Sequence, residues 1–592
     1  MKQQYLIIVL ILSSLLGFSQ LNLRNEAFMF VSNEVVFVNN AVNLSEENSK
    51  IYLRNEGQLL QGNGTTGNSG IGALSVYQNG NTNQFAYNYW ASPVGNPSAA
   101  NGNEPARVDL IDDATGLTSS ADALFSSNHN GISSPLTISR RWLYTFIASD
   151  EYAEWNSINE SSPIPTGLGF TMKGIGTDPT GSQLYDFRGK PNNGTITAEI
   201  AANQYTLIGN PYPSALDALK LIHDPQNVNI NAPTTTGVLY YWDQRPTTHF
   251  TSDYVGGYAT YTISDAGLES FVHATFSAYD SSGNASPLPE AGLKIAQRYI
   301  PIGQGFMVEG SAATSSEALV YLKNEHRVFE KESAGYSTFF RATEANSNDF
   351  TEENTAYNAW GLNIVPEDYK RFRLNVIFNS EFTRQLLQNF HHSATEAFDY
   401  GLEAKLGSTA DTEVSWLLNE VPYVIQAHAF DTQLKIPLAI KVASNQPVDF
   451  SLFDVQRFDD AQPIYLHDKL TNIYADLTQQ NYSINLEAGN YPSRFEITFQ
   501  QASLAIETVA ASQFEVFQNR NSQELVILNP QQKGIQQLSL YDVNGKLILH
   551  QANLDTKKRY TLSTENLSAA VYVFSIGLES KQNISKKVII KN

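Results

Sequence analysis

Leu538-Ser539-Leu540-Tyr541-Asp542-Val543-Asn544-Gly545-Lys546-Leu547-Ile548-Leu549-His550 decides the fold class. Apolar positions alternate through Leu538–Asp542, the two-residue period of a strand with one buried face. Asn544-Gly545 is expected to form a two-residue hairpin turn, because both residues tolerate positive φ. Lys546 to His550 then returns as the partner strand. Working outward, Glu524–Asn529, Tyr560–Leu562, Tyr572–Ile576 and Lys587–Lys591 repeat the short-strand pattern. About six or seven short strands in roughly 80 residues predict a small antiparallel, immunoglobulin-like sandwich over 514–592.

This segment resembles the type A C-terminal sorting domain of type IX secretion cargo in Bacteroidota. The residues that carry the likeness are Leu540 to Leu547, with Tyr541, Asp542, Asn544, Gly545 and Lys546 at its centre. Leu567-Ser568, Val571-Tyr572-Val573-Phe574 and Lys587-Val588-Ile589-Ile590-Lys591 complete it. The chain departs from the family pattern twice. Phe517-Gln518-Asn519-Arg520 stands where the family has Tyr-Pro-Asn-Pro, and Ala570 stands where it has Gly. The resemblance implies passage through the outer membrane by a secretion translocon and cleavage by a surface sortase. Release, or attachment to surface lipopolysaccharide, would follow. The charge agrees with a separately recognised tail. From Lys546 onward eight Lys and Arg face only Asp555, Glu565 and Glu579, although a solvated basic face would look the same.

The other end reads as an address too. Met1-Lys2-Gln3-Gln4 is a short basic start, Leu6 to Leu16 is almost wholly apolar, and Gly17-Phe18-Ser19 is a small-x-small cleavage site. This predicts a signal peptide over 1–19, cut between Ser19 and Gln20.

Composition narrows the function classes. The 592 residues carry a net charge of −21, which argues against nucleic-acid binding, since phosphate contacts need basic patches. Cysteine is absent, which excludes disulfides, thiolate metal sites and cysteine nucleophiles. Charged residues are only 16%, and Asn, Gln, Ser, Thr and Tyr carry the polar balance. That balance suits β-rich extracellular proteins.

The body is expected to be all-β in several modules. Residues 20–84 hold short apolar runs, such as Glu34–Val38 and Lys50–Arg54, between Gly- and Asn-rich turns. They predict a small solenoid-like or sheet module. Residues 85–335 contain an echo: Gly167-Leu168-Gly169-Phe170 is matched by Gly303-Gln304-Gly305-Phe306. This predicts equivalent strands in a duplicated or pseudo-symmetric sandwich. The glycines are assigned to bulges or tight strand starts rather than a phosphate loop, because the third glycine and the following helix are both missing. In Gly209-Asn210-Pro211-Tyr212-Pro213-Ser214 two prolines fix a tight turn, and a short helix is expected with Ser214 as N-cap. With Phe85–Pro93, Leu239–Trp242 and Gly303–Phe306, this string resembles a module common in secreted proteins with the same tail, one without an established activity. Residues 336–500 predict an accessory sandwich, through strands such as Arg371–Phe378 and Arg494–Phe499. A linker over 501–513 follows.

Chemistry is sparse. No Gly-x-Ser-x-Gly elbow occurs. A dispersed triad or carboxylate pair would leave no trace in sequence. His391-His392 is the one histidine cluster; it follows Glu381–Phe390, read as a short helix, and neighbouring side chains are expected to diverge rather than share a metal. Asp112-Asp113 and Asp459-Asp460 are expected in loops, either as solvated turns or as calcium ligands. No other cofactor is expected. Trp90, Trp142, Trp155 and Trp242 fall in one segment, as core filler or as faces that stack on a ligand. In Tyr240-Tyr241-Trp242, Tyr241 should face away from its neighbours. The composite expectation is a secreted or surface β-protein that binds a glycan or other surface ligand, or serves a structural or adhesive role. The alternative is a secreted hydrolase of polysaccharide or peptide with a dispersed site.

Overall fold

The computed structural model describes residues 20–591, apart from positions 63, 65–66, 99–101, 177–181, 230–231, 246–247, 251–252, 280–284, 316, 338–356, 359, 408–409, 502–513, 521, 553 and 580–582. The cleavage-site residue Ser19 and nearly all of the expected linker lie outside the described residues. Two compact units emerge, 1–499 and 500–592. Strands dominate both, and Ala218–Ile222 is the single α-helix among the described residues.

The first unit begins as a parallel ladder. Phe28–Ser32 pairs in parallel with Lys50–Arg54, which pairs in parallel with Ala73–Gly80. Leu21–Leu23 stacks likewise on Val42–Leu44, and Val35–Val38 on Gln58–Gln61. These are the rungs of a short β-solenoid, with Val31, Val42, Leu44, Ile51, Leu53 and Leu74 filling its interior. The corners depend on residues that accept positive φ: Asn25 and Glu26, Asn33, then Asn55 and Glu56.

The last rung leads into the body. Ala73–Gly80 pairs antiparallel with Gln183–Pro191, so the solenoid continues into a seven-stranded sheet. A second seven-stranded sheet runs from Tyr205–Gly209 through Gly305–Gly310, Thr235–Gln244 and Gly256–Ile263. The glycine echo is an equivalence in the backbone. Gly169 pairs with Ala91 and Gly305 pairs with Gly209, and each strand follows a left-handed glycine, Gly167 or Gly303. The two pairs cross closely: a Cβ on Gly305 would meet the Tyr89 carbonyl carbon at 2.8 Å.

The Gly209–Ser214 string is a structural staple. Asn210 Nδ2 donates to the carbonyls of Ser214 (2.8 Å), Ile300 (3.2 Å) and Pro301 (3.0 Å). The buried Tyr212 hydroxyl donates to the Gly194 carbonyl at 2.6 Å. The helix begins later than its sequence suggested. Ala215–Asp217 first pairs as a strand with Tyr299–Ile300, so Asp217 becomes the N-cap and accepts from the Leu219 N–H at 3.1 Å. Ser214 instead accepts from buried Arg327.

Residues 370–498 build one 11-stranded sheet around Phe372, Leu374, Trp416, Leu438, Phe450 and Phe495. The same apolar cluster takes in Tyr89, Phe146, Leu207 and Tyr240, so this sheet and the central strands share a core. The short helix expected before His391 is a strand, Phe382–Phe390, paired along its whole length with Lys370–Phe378. Its apolar pattern satisfies either period, and β-pairing with a long partner decides between them. Asp112 and Asp113 also lie in a strand, Ile111–Ala114, rather than a loop. Burial pushes the Asp112 carboxyl up to about 7, against the opposing pull of Arg188.

The second unit packs a three-stranded against a four-stranded sheet, with Leu525, Leu540, Tyr572, Phe574 and Val588 in its core. Its hairpin turn differs from the sequence expectation. Gly545 N–H donates to the Asp542 carbonyl at 3.0 Å, so Val543 and Asn544 are the central residues and Gly545 alone is left-handed. Asp542 Oδ1 accepts from the N–H groups of Asn544 and Lys546, both at 2.9 Å, which holds the three-residue loop.

Candidate functional site

Strand alternation sorts the aromatic residues. In Tyr87–Ala91 the odd positions Tyr87 and Tyr89 face one side, and Trp90 faces the other. Trp90 is fully buried against Tyr185 and Phe187, so it contributes to the core. In Thr235–Gln244 the same rule sends Tyr241 into the first core, against Phe306, and Tyr240 with Trp242 to the opposite face.

Trp142, Trp155 and Trp242 reach one cavity of about 420 Å³. Nine of its eleven lining residues are aromatic, the others being Ala153 and Thr171. Tyr89 ties several of these rings together. Its ring lies parallel to Trp242 at 6.4 Å and edge-on to Trp155 at 6.0 Å, and its hydroxyl meets that of Tyr258 at 2.9 Å. The strand pairing of Trp242 with Tyr258 fixes that corner. Trp142 comes from the short turn Arg140–Trp142 and is anchored by its indole N–H, which donates to the His129 carbonyl at 2.7 Å. Trp155 follows the turn Tyr152–Glu154, whose Glu154 carboxylate accepts from the N–H groups of Asp150 and Glu151. Those two bonds hold the Glu154 carboxyl below its ordinary range.

Behind the wall lies a cation. Lys173 is buried, and its ammonium sits 3.8 Å from the Trp142 ring centre and within 5 Å of the Tyr87 and Tyr254 centres. It donates to the Tyr254 hydroxyl at 2.6 Å. His249 stacks on Trp142 at 5.1 Å, and its Nδ1 lies 3.4 Å from the Lys173 ammonium. Burial lowers the Lys173 amine to about 7; burial first, and then Lys173, lower the His249 imidazole to about 4. Cation–π attraction orders the rings, while desolvation weakens the charge that provides it.

A second cavity, of about 280 Å³, adjoins the first and shares Tyr152, Trp155 and Tyr258 with it. Its walls are mixed: Asp150, Glu151, Thr260, Thr275 and Ser277 stand beside Met307 and Val424. Arg384 closes it, bonded to Glu413 at 2.6 and 2.8 Å. Sequence reasoning missed the tyrosines of the first cavity, because they come from strands and turns far apart in the chain and only the tryptophans stand out as a cluster.

In the second unit the sorting residues divide by face. Tyr572 and Val588 are buried, and the Tyr572 hydroxyl donates to the Ser568 carbonyl at 3.0 Å. Val573, Lys587, Ile589 and Lys591 are exposed, and Tyr541 pairs with Val573 across the sheet.

Residues 516–591 match the secretion system C-terminal sorting domain. Residues 117–499 match the family described as domain of unknown function (DUF8693). The chain belongs to that family. Its matched region covers most of the first unit, including the 11-stranded sheet, the second cavity and the lining of the first cavity apart from Tyr87 and Tyr89. No curated protein matches the chain. The sorting domain marks this DUF8693 member as cargo of the type IX secretion system, exported to the cell surface or the extracellular space.

Proposed function

We propose that the exported chain is a binding protein with an adhesive role, and that its ligand is of the glycan class. The observation that supports this is the 420 Å³ cavity walled by nine aromatic rings. Sugar rings present apolar C–H faces that stack on aromatic faces, while their hydroxyls take hydrogen bonds from a rim of tyrosines. No carboxylate lines this cavity among the described residues, which favours binding over acid–base hydrolysis there. The hydrolase alternative draws on Asp150 and Glu151 beside the adjoining cavity. In this proposal a surface sortase removes the sorting domain, and lipopolysaccharide attachment or release sets where the binder works.

The test is incubation of the full mature chain with a panel of insoluble polysaccharides and cell-wall material, with and without calcium. Retention on the solid without release of soluble fragments supports the proposal. Release of fragments replaces it with the hydrolase.

A further inference from the structure

We propose that Asp368, His391 and His392 form a binding site for a transition-metal dication of the zinc type. The hairpin register brings them together. Lys370 lies opposite Phe390, so the turn before one strand meets the turn after the other. The divergence expected for adjacent histidines does not occur, because both lie past the strand end, where side-chain alternation stops. Their ring centres are 4.0 Å apart. One ligand atom from each of the three residues lies within 4.8 Å of the other two.

His391 is held in place. Its ring stacks on buried Tyr369 at 4.0 Å with planes 7° apart. Nδ1 bonds the Ser393 hydroxyl at 2.7 Å, while Nε2 points to Asp368 Oδ2 at 3.2 Å. Its backbone N–H donates to the His428 carbonyl at 3.0 Å. A ligating histidine usually has its second nitrogen anchored by such an outer bond. Asp368 is 61% exposed and His392 is exposed, so both can rotate, and the site is open to solvent. A tetrahedral ion with bonds of about 2.0–2.2 Å needs ligand atoms about 3.4 Å apart, a modest contraction from the observed spacing. Two imidazoles and one carboxylate suit zinc, copper or nickel and disfavour calcium, which prefers oxygen throughout. Water would occupy the fourth position.

The test uses the untagged mature chain, stripped with a chelator and titrated with Zn²⁺ by calorimetry, with metal content counted after dialysis. One retained equivalent is expected, with Ca²⁺ failing to displace it. In H392Q and D368N, both changes at exposed positions, affinity should fall at least tenfold while the circular dichroism spectrum is unchanged. No retained zinc, or wild-type affinity in either variant, would overturn the site.

Discussion

Trp90 and Trp242 differ in role although both sit in aromatic strings. Trp90 is enclosed on every side, so Trp90→Ala should cost about 3–5 kcal/mol of stability by leaving a cavity. Trp242 borders the aromatic cavity, so Trp242→Ala should leave the melting temperature nearly unchanged and weaken ligand retention about tenfold. Thermal unfolding and retention assays on the two variants separate the roles. Lys173 adds a pH dependence. Its amine falls from 10.5 to about 7 in the fold, so between those values the unfolded chain holds the proton more tightly. This residue's contribution to stability therefore rises with pH across that window and is level below it. Lys173→Met should flatten that part of the melting temperature profile between pH 7 and pH 10, and an unchanged profile would refute the burial argument.

At the scale of elements, close approach of strands matters more than side-chain identity. A methyl on Gly305 would sit 2.8 Å from backbone of the Tyr87–Ala91 strand. Gly305→Ala should therefore push that strand and its two cavity tyrosines, lowering both stability and ligand retention; a variant with native melting and retention would show that the crossing is slack. The strands, the glycine echo and the facing of Tyr241 were legible in sequence, because two-residue alternation and left-handed glycines are local properties. The helix expected before His391 was not, since its apolar pattern fits both periods and a distant partner decided. The expected divergence of the adjacent histidines rested on the same helix reading; both residues follow the end of a strand, and their ring centres lie 4.0 Å apart. The turn at Asn544-Gly545 changed type because the Asp542 carboxylate captures two backbone N–H groups, a contact that residue order alone does not reveal.

At the scale of the whole molecule, two units divide the work. The sorting domain carries the export address. Deleting Phe514 to Asn592 should leave the DUF8693 unit folded and trapped in the periplasm, as read by cell fractionation; unchanged appearance at the surface would remove the sorting role from this domain. The first unit carries the cavity within a core shared by its central strands and its 11-stranded sheet. The measurement that tests the account most directly is retention of the mature chain on a bound polysaccharide, wild type against the Trp155→Ala/Trp242→Ala double variant, with melting temperatures recorded in parallel. The account predicts that the variant loses retention by at least tenfold and melts within a few degrees of wild type. Equal retention by the two proteins would contradict it.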